Sequence, residues 1–129
     1  MKLLSIKVLI VDDEKLIGEI WEEIFDMLGC YVYVAESVDK AISILIQHDI
    51  QLVITDLRMP EANGSLLLDH LTDSCKRDID IFVCSGFSDE NKMTLERSNV
   101  IRIIAKPFSV AAELDYFRNF LSMPRKGFE

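Results

Sequence analysis

The sequence predicts an α/β domain built on a doubly wound, five-stranded parallel sheet with helices on both faces, and three observations carry that prediction. Five short apolar runs alternate with segments whose apolar residues recur at helical spacing, at close and regular intervals. The central runs are apolar throughout, as strands buried on both faces are. The connections hold Gly29, Pro60, Asn63-Gly64, Gly86 and Pro107, residues that interrupt regular structure, and strands joined through helices in this way cross over right-handed.

Lys7 to Val11 is the first strand, and it ends on Asp12-Asp13-Glu14. From Glu14 to Leu28 the residues Ile17, Ile20, Trp21, Ile24, Phe25 and Leu28 mark one helical stripe, which Gly29 stops. Tyr31 to Ala35 is the second strand, and Ser37 caps a helix whose stripe is Val38, Ala41, Ile42, Leu45 and Ile46. Gln51 to Thr55 is the third strand, cut off at Asp56. Pro60 and Asn63-Gly64 then exclude regular structure until a third helix, with Leu67, Leu68, Leu71 and Cys75 toward the core.

Ile79 to Cys84 is the fourth strand, ending at Ser85-Gly86. Asp89 to Ser98 reads as a mostly polar helix with only Met93 and Leu95 apolar, and its weak burial makes it the helix most able to move. Arg102 to Ala105 is the fifth strand, closed by Lys106-Pro107. Ser109 caps a last helix with Val110, Leu114, Phe117 and Leu121 on one side and Tyr116 and Phe120 on another. Residues 1–123 are expected to form one domain, and 124–129, without periodicity, a tail or the start of a linker.

Half of the 129 residues are hydrophobic, enough for a real core and against disorder. The net charge of −8 argues against direct binding to nucleic acid or anionic membrane. Cys30, Cys75 and Cys84 stand at unrelated spacings, which suits reduced thiols better than a disulfide framework, and Cys84 reads as strand packing. His48 and His70 read as solvated helix residues, at no metal-binding spacing. Met1 to Ile6 leads into a strand without a signal-peptide pattern, and no run is long enough to cross a bilayer, so a cytoplasmic location is expected.

Ligands of a parallel α/β sheet bind at the carboxyl ends of its strands. Those ends should carry Asp12 and Asp13, Asp56, Ser85 and Lys106. Singly each has a plain reading: the acids as helix caps or solvated groups, Ser85-Gly86 as a turn, Lys106 as a surface lysine. Together they suggest a carboxylate nucleophile, Asp56, that accepts a phosphoryl group. Two carboxylates about 4 Å apart repel by about 4 kcal/mol at an effective dielectric of about 20, so an acidic pocket of this kind should bind a divalent cation or take up a proton.

The Asp-Asp pair, Asp56-x-x-Met59-Pro60, Ser85-Gly86 and Lys106-Pro107-Phe108, in this order and on these strands, resemble the receiver domain of two-component response regulators. The resemblance runs from about Ile6 to Leu121. It implies a flavodoxin-like strand order 2-1-3-4-5 and a phosphoryl donor, a phosphohistidine on a histidine kinase or histidine phosphotransfer protein. It also implies Mg²⁺ (or Mn²⁺) held by Asp13 and Asp56, with Asp12 orienting a water and the Arg58 backbone carbonyl completing the shell.

On the same resemblance Lys106 pairs with Asp56 before transfer and with a phosphoryl oxygen afterwards, Ser85 donates to another oxygen, and Pro107 is cis and aims Lys106. The domain would catalyse its own phosphorylation and slow dephosphorylation without being a conventional turnover enzyme. The signal would pass through the Gly86 to Glu90 loop to a downstream protein target or a covalently linked output domain. A homodimer through the last helix and fifth strand is suggested by Tyr116 and Phe120 among charges.

Three positions depart from the family pattern. Ile103 replaces the aromatic switch residue three before Lys106, so a rotamer switch is not implied. Arg58 and Phe87 flank the site two residues after Asp56 and Ser85; a bulky pair there would obstruct the attacking water and lengthen the phosphoryl lifetime, or Arg58 would contact the phosphoryl group. Arg58 also stands where a haloacid-dehalogenase-type phosphohydrolase needs its second acid, which argues against that class. No G-x-G-x-x-G follows a strand, which argues against a dinucleotide oxidoreductase. The remaining competitor is a receiver-like binding module regulated by protein contact without phosphorylation.

Overall fold

A computed structural model of the chain describes residues 5–56, 58, 59, 62, 63, 79–86 and 100–123, and for 58, 59, 62, 63 and 85 the backbone alone. The elements are β1 (Lys7–Val11), α1 (Lys15–Met27), β2 (Tyr31–Ala35), α2 (Val38–Gln47), β3 (Leu52–Thr55), β4 (Arg58–Met59), β5 (Ala62–Asn63), β6 (Asp80–Ser85), β7 (Val100–Ala105) and α3 (Val110–Ser122). Five strands form one parallel sheet in the order β2-β1-β3-β6-β7, which is 2-1-3-4-5 when the sheet strands alone are counted. Ile10 stands level with Val34 on one side and Ile54 on the other, and Ile54 level with Phe82.

Successive side chains of a strand point to opposite faces, so this register sorts the core into two. Leu9, Val11, Val53, Ile81 and Val83 meet Val38 and Ala41 of α2. Val8, Ile10, Leu52, Ile54, Phe82, Cys84 and Ile104 meet Trp21, Ile24 and Phe25 of α1 and Phe117 and Leu121 of α3. Each fully buried large side chain contributes about 1.5–3 kcal/mol, so both layers are needed to hold the sheet against chain entropy.

α1 lies close on the sheet at Gly18, where an added Cβ would stand in van der Waals contact with Val34 Cγ1 at 3.4 Å. It ends as expected at Gly29, whose φ of 87° lies in the left-handed region and whose N–H donates to the Asp26 carbonyl. Ser37 and Ser109 cap α2 and α3 by accepting from the Lys40 and Ala112 N–H groups at 3.2 Å each.

Several expectations are corrected. Ile46 is 76% exposed, because the buried stripe of α2 is turned toward Ile44. Val110 is 46% exposed, and Glu113 lies buried on α3 because Arg102 reaches it with two hydrogen bonds of 2.7 and 2.9 Å. Tyr116 and Phe120 are half-buried and pack on Phe82, with ring centroids 6.2 and 5.3 Å away, so they are not an exposed aromatic face. His48 follows α2 as its C-cap and stacks on Tyr33 at 4.3 Å, where a solvated helix residue was expected.

The fifth strand of the sheet begins at Val100, which pairs with Ile81 before a bulge sets Arg102 opposite Phe82. Around Pro60, in the stretch from Asp56 to Gly64 where regular structure was excluded, β4 and β5 form a short antiparallel ribbon pairing Met59 with Ala62 and Arg58 with Asn63. The helices expected over Leu67 to Cys75 and Asp89 to Ser98, together with His70 and the tail 124–129, lie outside the described residues. Cys30 and Cys84 are buried, and among the described residues no helix is long and apolar enough to cross a membrane.

Candidate functional site

The backbone ladder itself carries the acids to the carboxyl edge of the sheet. The Asp12 N–H donates to the Ala35 carbonyl at 3.1 Å and the Asp56 N–H to the Val11 carbonyl at 3.0 Å, each continuing a strand pairing by one step. Both residues are buried, 3% and 4% exposed, while Asp13 stands in solvent. One carboxylate oxygen from each of the three lies within 4.8 Å of the others.

Lys106 closes this cluster from the far end of the sheet. It leaves β7 through a cis Lys106–Pro107 bond, and its Nζ donates to Asp12 Oδ2 at 2.9 Å and to Asp56 Oδ2 at 3.0 Å. Burial works against the ammonium, but the hydrogen bonds to the two carboxylates outweigh it and hold its pKa above the ordinary lysine value. Asp12 is shifted upward by burial, against the Glu14 N–H and Lys106, which favour its charged form.

Asp12 is neither the N-cap of α1, which is Glu14, nor solvated, but it does bond locally. Its Oδ1 accepts the Glu14 N–H at 2.8 Å at the start of α1, where Glu14 makes no side-chain cap. Both carboxylate oxygens of Asp12 are thus engaged, one by the helix start and one by the lysine. Glu14 is a contact that sequence reasoning missed: its Oε2 lies 3.9 Å from Lys106 Nζ. Its position directly after Asp12-Asp13 was the available signal.

Ser85 ends β6 level with Ala105, so its backbone is next to the residue before Lys106. Arg58 lies in the β4–β5 ribbon two residues after Asp56. Their side chains, and all of Phe87, lie outside the described residues. Ile103 pairs with Val83 and is 40% exposed.

The donor set suits a hard cation. Among the described residues three carboxylates and no sulfur or imidazole converge, and small octahedral ions such as Mg²⁺ take oxygen ligands and keep several waters. Asp13, exposed beside the two buried acids, fits direct ligation better than Asp12, whose two oxygens are engaged by the Glu14 N–H and Lys106. A cleft of about 700 Å³ between α1 and β2, lined by Glu19, Glu22, Glu23, Asp26, Tyr31, Val32 and Tyr33, shares no residue with this cluster.

Fold and site together define a flavodoxin-like α/β domain with a lysine-bridged acidic pocket at the carboxyl edge of its sheet. Comparison with known proteins then places it: the model of the response regulator receiver domain matches residues 8–116, and the chain belongs to that family. It is 37% identical over 108 residues to an uncharacterised response regulatory protein of Staphylococcus epidermidis, a match covering 78% of this chain and 41% of the relative. It is 35% identical over 106 residues to the transcriptional regulatory protein HptR of Staphylococcus aureus, covering 78% of this chain and 40% of that one.

The chain therefore matches less than half the length of these relatives. Among solved structures, a CheY-like receiver domain from Methanospirillum hungatei superposes with a TM-score of 0.82 at 21% identity, over 92% of this chain and 94% of that one. The response regulator TrrA of Thermotoga maritima, in complex with Mg²⁺ and a beryllium fluoride, superposes with a TM-score of 0.76 at 22% identity, over 89% and 98%. At these identities the likeness carries the fold.

Proposed function

We propose that this receiver domain takes a phosphoryl group onto Asp56 from a phosphohistidine of a histidine kinase or histidine phosphotransfer protein. One observation carries the reading: Lys106 Nζ sits 3.0 Å from the Asp56 carboxylate and 2.9 Å from Asp12, with Asp13 beside them. A carboxylate oxygen of Asp56 attacks phosphorus in line. The new O–P bond forms as the P–N bond breaks, and its electron pair leaves on the imidazole nitrogen, which takes a proton from water.

Lys106, already anchored, faces the charge that gathers on the phosphoryl oxygens, and Ser85 supplies a hydroxyl to one of them. Asp13 and Asp56, with the Arg58 carbonyl and a water ordered by Asp12, would hold Mg²⁺ or Mn²⁺. The ion supplies neutralisation of the negative charge shared by acid and phosphoryl group. Phosphorylation then changes the affinity of the β7 and α3 side for a downstream protein or a linked output domain.

Incubation with phosphoramidate or acetyl phosphate and Mg²⁺, followed by intact-mass measurement, tests this. A gain of one phosphoryl group that is absent in Asp56→Asn is the expected result. No gain with any donor would replace the reading with a binding module controlled by protein contact alone.

A further inference from the structure

Trp21, the single tryptophan, occupies a place that the phosphoryl chemistry has not yet used. It is 1% exposed, on the face of α1 turned to the sheet. Its indole stacks on Phe108, the residue that follows Lys106-Pro107, with ring centroids 4.7 Å apart and planes 28° from parallel. Phe25 stacks at 5.9 Å and Phe117 meets it edge-on at 5.8 Å, so α1 and α3 both hold the indole.

In the same core cluster lies Cys84, next in sequence to Ser85. The Trp21 N–H makes no hydrogen bond among the described residues. A buried N–H without an acceptor is uncommon, and a small movement of the Cys84 end of β6 would change its surroundings.

We infer that Trp21 is a positioning residue for the site: by stacking on Phe108 it fixes the turn that aims Lys106. This rests on the phosphoacceptor reading above and adds to it. Lys106 has several rotatable bonds and must keep Nζ near 3 Å from two carboxylates, so its backbone origin has to be held. Among the described residues, the ring contact recorded for Phe108 is the one with Trp21. Because the chain has one tryptophan, its emission reports on this one environment, in which Phe108 is the nearest ring.

The test follows phosphoryl gain by intact mass and tryptophan emission in the same samples of the full chain, with phosphoramidate and Mg²⁺, for wild type, Phe108→Leu and Phe108→Tyr. Emission should change in step with the mass in wild type. Phe108→Leu should slow uptake about tenfold or more at saturating donor, with thermal unfolding still cooperative, and should break the link between emission and mass. Phe108→Tyr, which keeps the ring, should restore both. Should Phe108→Leu fail to fold, the wild-type correlation and the Tyr variant decide.

Uptake at the wild-type rate in Phe108→Leu, or emission that stays constant while the mass rises, overturns the inference and leaves the phosphoacceptor reading intact. No mass gain in wild type overturns both.

Discussion

On one side of the sheet Leu9, Val11, Val53, Ile81 and Val83 meet aliphatic residues of α2. On the other, Phe82 meets Tyr116, Phe117 and Phe120, and Phe117 and Trp21 link these rings to Phe25 and Phe108, in a connected set of contacts between 4.7 and 6.3 Å. Branched aliphatic side chains fill volume without fixing direction, whereas rings prefer offset-stacked or edge-on contacts and so constrain orientation as well as distance. The aromatic face is also the one that reaches the turn bearing Lys106. Stability is shared between the faces; placement of the reactive lysine belongs to one of them.

The largest effects test that division directly. Phe117→Ala should cost about 3–5 kcal/mol and Leu9→Ala about 2–5 kcal/mol in chemical denaturation, since both open cavities in closed packing. Only Phe117→Ala should also slow phosphoryl uptake, because Phe117 touches Trp21. Equal slowing by Leu9→Ala would end the distinction. Next, Glu113→Ala should cost about 2 kcal/mol through the loss of the paired hydrogen bonds to Arg102, which would keep only its stacking over Tyr116 at 4.1 Å. A loss below about 0.5 kcal/mol would show that the ring contact alone holds Arg102.

Ser37→Ala and Ser109→Ala should each cost about 1 kcal/mol, one on each face, because a cap acts locally whatever the helix packs against. Ile46→Lys, on the exposed flank of α2, should stay within about 0.5 kcal/mol of wild type. The smallest signal is expected at Cys84. Burial pushes its thiol up to about 11, so the group is neutral below that value and becomes reactive only as pH rises toward it. Peptide mapping after alkylation at about pH 8 should find Cys84 unlabelled in the native chain and labelled after denaturation.

Much of the fold was legible because periodicity and stop signals are local. Gly29, Ser37 and Ser109 mark helix ends that the structure repeats, and the continuous apolar runs mark strands buried on both faces. Strand order was not legible in the residues, since any parallel arrangement satisfies the same pattern; it came with the family resemblance. Helix rotation was less legible still. Glu113 is buried because Arg102 awaits it on β7, a long-range pairing that no helical stripe announces, and Val110 is left outside as a result.

At the site, Asp12, Asp13, Asp56 and Lys106 were each signalled by their place at a strand end. The Lys106 bridge to Asp12 and the approach of Glu14 were not, because they depend on side-chain reach across the sheet. The aromatic contact between Trp21 and Phe108 was equally silent, although Phe108 belongs to the motif that carried the resemblance.

The bridge has a consequence for how the chain is made. Lys106 is 94 residues from Asp12 and 50 from Asp56 along the sequence. On a ribosome, the first two acids emerge and pair their strands long before their counter-charge exists. Closing so wide a loop is slow, and carboxylates held side by side resist being brought together until the ammonium arrives. The nascent pocket should therefore lack its counter-charge until β7 is released, which makes the emergence of β7 and the turn after it the moment at which a chemically competent centre first appears.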